Sequence, residues 1–432
     1  MIGTSDGVLG RARRTAARTP GGAPLLLAAA GAVALLLATD VGRLRQPDLV
    51  WGAAAVLAYL LASVASTLVH ELGHVALGAV VGQRLHAMGL GPLRLARYPT
   101  WRLTVHGRAT DAGPPSAWVL LVPRTIDGLG WRTAATVAGG PAASAACTAL
   151  AAWAYVARGG FDRVLAARAV AVESPWAALG ALLVPCVAIV AGITAIGTLT
   201  FPARGASVGD GWILLRLASR RTRAETVAAL TLQALQQAGV PAVRWPPAIA
   251  HPPADSRPTD HLSACAALLR AQHALHRGEH ERAERLLETV LDAGPPRGIP
   301  RTPVLLEAAV VAALRGHDIA RAERRLREAA HDVPADHAYL WARALGVLAG
   351  ARGDSAAALH HLRRSRDLLR ARGHEPAWTD EIALAESLLR RAPSAGAPAA
   401  ALVADRTQPP PCFTPSGARA PAHVIDPSPC AP

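Results

Sequence analysis

Three residues early in this chain have the types and spacing to hold and use a metal ion. They are His70, Glu71 and His74, in the order His-Glu-x-x-His. On a helix, positions i and i+4 share a face, so both imidazoles can reach one ion. The glutamate between them is placed to act as general base on water at that ion. A catalytic zinc takes three protein ligands and keeps one position open, so one ligand has to come from elsewhere. Asp210, between Gly209 and Gly211 in a turn, is the natural candidate; Asp127, also followed by a glycine, competes from a polar loop. His86 and His106 are isolated and read as ordinary polar residues.

The elements that must position these groups are apolar. The motif lies within Leu49–Gly82, a run of apolar and small residues long enough for a helix to cross ~30 Å of hydrocarbon. Ionisable groups inside such a helix are expensive and mark function by default, so the expectation is a zinc hydrolase with its site in the membrane. Further apolar runs at Pro24–Thr39, Thr133–Ala157 and Pro175–Thr200 bring the expected membrane helices to about four. Arg11, Arg13, Arg14 and Arg18 precede the first run, and seven arginines fall in the loop from Gln83 to Arg132. That bias places the N-terminus and this loop in the cytoplasm. Within the loop, Leu85–Leu95, Trp101–His106 and Trp118–Val122 read as short strands or hairpins. The run at Thr133–Ala157 contains Gly139-Gly140-Pro141, which reads either as a packing kink or as a kink beside the metal.

At 432 residues the chain can hold two or three domains. Its 45 basic residues are all arginine and the net charge is +14, but no aromatic-interleaved basic motif accompanies them, so nucleic-acid binding is not expected. Five cysteines without a C-x-x-C pair argue for neither disulfides nor a thiolate zinc site. After residue 217 the character changes. Arg220–Gly239 reads as one amphipathic helix and Val240–Pro258 as a Pro-rich linker. From Asp260 to Arg391, three helix-turn-helix units align on Gly278, Gly316 and Gly353, 37 to 38 residues apart. Their arginines read as a solvated face, and residues 392–432 read as a disordered tail.

The expected fold class is therefore an all-α polytopic membrane protein, with short strands in one loop, plus a cytoplasmic α-helical repeat domain. The expected boundaries are a tail at 1–22, a membrane metalloprotease domain at 23–217, a helix and linker at 218–258, repeats at 259–391 and the tail at 392–432.

His70–His74, Gly140-Pro141 in the following span and the late Pro202…Asp210-Gly211 together resemble the site-2 proteases, over about residues 50–217. These are intramembrane zinc metalloproteases that cut transmembrane substrates. The resemblance implies Zn2+ held by His70, His74 and Asp210, water activated by Glu71, and a transmembrane protein substrate met within the lipid bilayer. It implies a multi-pass protein of the cell membrane, here with both termini cytoplasmic. The helical units resemble tetratricopeptide repeats, whose period is ~34 residues, and imply a cytoplasmic protein partner. The family commonly has asparagine where this chain has Ser144 and Leu199. Those missing amides support a second expectation, a catalytically weak or inactive membrane anchor whose repeats recruit cytoplasmic partners.

Overall fold

The computed structural model describes residues 46–91, 93–97, 100–105, 117–200, 209–251, 258–294, 299–315, 318–371 and 378–391. The run at 24–39, both tails, His106, Pro202 and Gly316 lie outside the described residues. Within them the chain is mostly helical, with fourteen helices and one four-stranded sheet.

Three helices are long and apolar enough to cross a membrane: α1 (Gln46–Val80), α2 (Leu129–Ala157) and α4 (Pro175–Thr200). They pack on one another through their smallest residues. Along α1 the buried stripe runs Ala54, Ala58, Ala62, Ser66, His70 and His74, one residue per turn, while Leu60, Leu61 and Val64 are exposed on the outside. On α4 the buried positions are Ala178, Ala181, Ala191 and Ala195, and Ile189, Ile193 and Ile196 face outward. Small side chains let helix axes approach closely, which is how helices gain packing when no hydrophobic drive separates inside from outside. The closest point is Gly73 of α1 against Gly139 of α2, where a Cβ on either glycine would overlap the other's carbonyl oxygen. Between α2 and α4 the chain forms the ten-residue helix α3 (Gly160–Ala169).

The expected strands form. β1 (Gln83–Leu90), β2 (Leu93–Arg97), β3 (Trp101–Val105) and β4 (Trp118–Pro123) make an antiparallel sheet in the order β3-β2-β1-β4. Met88 pairs with Leu95 in the first hairpin, and β3 is an exposed edge.

α5 (Asp210–Ala218) and α6 (Arg220–Gln237) follow. Of the segment read as a Pro-rich linker, residues 240–251 are described and are packed rather than free. It carries a 3-10 turn (Ala242–Arg244) and the single-turn α7 (Pro247–Ala250), and buries Trp245 almost completely. The Trp245 indole N–H donates to the Val240 carbonyl at 2.9 Å, and its ring stacks on His273.

Three helical hairpins then appear where the glycine spacing placed them: α8 (His261–His276) with α9 (His280–Asp292), α10 (Arg301–Arg315) with α11 (Ile319–Ala329), and α12 (Ala338–Ala351) with α13 (Ser355–Arg370). α14 (Thr379–Arg391) closes the series. Gly278 and Gly353 end their helices with φ of 75° and 84°, a left-handed conformation that costs glycine least. The arginines are not all a solvated face. Arg216, Arg270 and Arg343 are buried, each against a carboxylate, because a buried cation is tolerated only when paired. A shared core of Leu120, Val122, Leu129, Leu232, Leu235 and Trp245 joins the sheet, the foot of α2, α6 and α8. The helical half is thus packed directly onto the half that carries the histidines.

Candidate metal centre

The stripe of small residues on α1 ends in the two histidines, so the same inward face that packs the helices also presents both imidazoles to α2. Asp210, the first residue of α5, meets them there. His70 Nε2 is 3.0 Å and His74 Nε2 3.6 Å from Asp210 Oδ2. One donor atom from each of the three residues lies within 4.8 Å of the others. Bonds of about 2.1 Å at tetrahedral angles place zinc ligand atoms roughly 3.4 Å apart, which this spacing matches. The group therefore fits a single divalent ion.

The outer ring nitrogens are tied down. His74 Nδ1 is 2.9 Å from the Thr136 carbonyl oxygen, and His70 Nδ1 is 3.0 Å from Ser144 Oγ. A carbonyl can only accept, so the His74 proton belongs on Nδ1 and its Nε2 turns a lone pair toward Asp210. A lone pair facing a carboxylate is a repulsive arrangement that a cation between them relieves. Partners of this kind on the far nitrogen hold ligating histidines in orientation.

Two glycines make the room. A Cβ at Gly140 would overlap His74 Nε2 and crowd His70 Nε2, so the Gly-Pro segment lies against the imidazoles and is more than a packing kink. A Cβ at Gly211 would run into the Leu199 carbonyl, so only glycine lets the start of α5 press against the end of α4 and aim Asp210 inward. Glu71, next to His70 on α1, is buried at 8% exposure.

Among the described residues, His70, His74 and Asp210 are the group that converges. Asp127 is exposed and stands outside it, and so does the half-buried His86. The roles of Ser144 and the Thr136 carbonyl were missed from sequence. Their signal was the spacing: Thr136, Gly140 and Ser144 follow each other at i+4, matching His70 and His74 on the facing helix.

No protein-family model, curated protein or solved structure matches the chain. What can be said of its chemistry rests on this geometry.

Proposed function

We propose that this protein is an intramembrane zinc metalloendopeptidase of the site-2 protease type, acting on transmembrane protein substrates. The observation that carries the proposal is the meeting of His70, His74 and Asp210 at one point, with Glu71 beside them. The membrane setting is supported by α1 and α4, which bury alanine and expose leucine and isoleucine. In water such a surface far exceeds what a soluble chain tolerates, whereas lipid tails match it.

When bound, zinc supplies Lewis-acid chemistry, acidifying water and polarising a peptide carbonyl. The remaining work belongs to the chain. His70, His74 and Asp210 hold the ion, and Ser144 and the Thr136 carbonyl keep the rings turned toward it. Gly140 leaves the space that the two imidazoles occupy. Glu71 accepts a proton from water at its carboxylate and returns it to the leaving amine. A substrate helix has to unwind locally, because an intact helix shields its amides. The arginine-rich loop and both termini face the cytoplasm in this reading, which puts the helical hairpins on the cytoplasmic side as a docking surface for a protein partner.

Metal analysis of the purified full-length protein tests the reading first. About one zinc per chain is expected, lost in His70→Ala and Asp210→Ala. Glu71→Gln should keep the zinc and lose cleavage. The readout is mass spectrometry of membranes from expressing cells, where cut transmembrane fragments should appear with the wild type alone. A wild-type chain that binds no zinc leaves the membrane anchor as the better account. Fragments that persist in Glu71→Gln remove Glu71 from the chemistry.

A further inference from the structure

The helical hairpins line a half-open cavity of about 320 Å³ between α8, α10, α12 and α14. We propose that it is the docking site for a protein segment that inserts one basic side chain, arginine or lysine, between apolar neighbours. Its volume is at the low end for ligand pockets, which suits a side chain and its flanks rather than a folded surface. Leu268, Val304, Val311 and Leu340 make much of the wall. In a chain with 45 arginines and a net charge of +14, none of the described residues lining this cavity is an arginine. Its carboxylates are Glu307 and Glu381.

Both carboxylates pair with the guanidinium of Arg343, which is fully buried behind them. Two carboxylates thus share a single guanidinium. Glu381 is the better satisfied of the two, since it also accepts from the Gln272 amide at 2.6 Å, which in turn accepts from Gln236 at 2.8 Å. Glu307 gives one oxygen to Arg343 and keeps 23% of its side chain open. Burial holds its carboxyl above the ordinary range even with Arg343 beside it, as befits an acid short of positive partners. Two histidines near the carboxylates, His261 and His276, carry no charge to match them, while His337 lines the cavity beside Tyr339. Burial takes His276 down to about 4 and lowers His261 as well, so both are neutral at pH 7. The His261 Nδ1, in the cavity wall, is buried without a hydrogen-bond partner. An incoming ammonium or guanidinium pairs with Glu307, and its apolar neighbours cover the leucine and valine wall.

The test uses full-length protein in phosphatidylcholine nanodiscs and two labelled probes read by fluorescence anisotropy against empty nanodiscs. One probe is acetyl-Ala-Leu-Arg-Leu-Ala-amide, and the other carries the neutral isostere citrulline in place of arginine. The arginine probe is expected to bind roughly tenfold or more tightly than the citrulline probe, and Glu307→Gln should erase that preference. Leu268→Trp, which fills the cavity and leaves the Arg343 pairs intact, should block both probes. Equal binding of the two probes, no binding of either, or binding unaffected by Leu268→Trp overturns the proposal. So does binding that appears only after residues 1–22 are deleted, which would make the chain's own arginine segment the occupant. A dimer broken by Leu268→Trp would assign the cavity to a second copy and overturn it equally. None of these readouts depends on zinc, so the metal centre and this cavity stand or fall separately.

Discussion

The Ser144 hydroxyl lies 3.0 Å from His70 Nδ1, and its side chain is wholly buried. The serine thus orients the ring whose Nε2 faces Asp210, a task its residue type did not announce. Ser144→Ala should weaken zinc binding by about 10–100-fold, the usual loss for such a partner, measured by competition with a chelator. Gly140→Ala should be worse, because the added methyl overlaps His74 Nε2 itself. Here the expected result is a folded chain with unchanged helical circular dichroism and no retained zinc. A Gly140→Ala protein that binds zinc normally would show that α2 can shift away, and that the bare face is not required.

The element that matters most to the site is α5, nine residues long, with Asp210 at its start and Arg216 near its end. Arg216 donates through Nε to Thr226 Oγ1 at 2.9 Å, pairs with Asp260 and lies 4.8 Å over the Trp212 ring. Asp260 is also the N-cap of α8, accepting from the Ser263 N–H at 3.0 Å. The short helix bearing the candidate ligand Asp210 is therefore fastened at its far end to the first helical hairpin. Arg216→Met leaves Asp260 without its cation and should destabilise the protein by ~3 kcal/mol. Adding Asp260→Asn should recover part of that loss, as both are read by thermal unfolding in detergent. Zinc affinity should fall with Arg216→Met as α5 loosens. Unchanged affinity would mean that Gly211 packing alone aims Asp210.

For the whole molecule, Asp380 of α14 ties the last helix back to the segment before α8, accepting from the Ala242 N–H at 2.6 Å. Burial, with help from Glu381, raises its carboxyl to about 6, although the Ala242 hydrogen bond works the other way. The folded state thus holds this proton more tightly than the unfolded chain, whose value is near 3.8. Stability from this group is complete below about pH 4, is lost as pH rises toward 6, and is flat above, a change of ~3 kcal/mol. His276, lowered to about 4 by burial, has the opposite sign and loses stability as pH falls from 6.5. Asp380→Asn keeps an acceptor for Ala242 and removes the first effect alone. Its stability relative to wild type should rise between pH 4 and pH 6 and stay higher at pH 7, followed by chemical unfolding. A variant that tracks wild type across that range would show that the carboxyl titrates normally.

What could be read from residue order was local in origin. The apolar runs, the i+4 histidine pair, the loop strands and the glycine-ended hairpins each reflect a period of a few residues, which neighbouring side chains impose on the backbone whatever lies further away. The tertiary structure decided the rest. It chose Asp210 over Asp127, because the start of α5 presses on the end of α4 where Gly211 allows it, while Asp127 points into solvent. It turned the Gly-Pro segment into the floor beneath two imidazoles, gave Ser144 a ring to hold, and buried Arg343 between two glutamates. Each of these depends on how helices far apart in the chain cross, and crossing is set by packing of whole faces, which no short stretch of sequence contains.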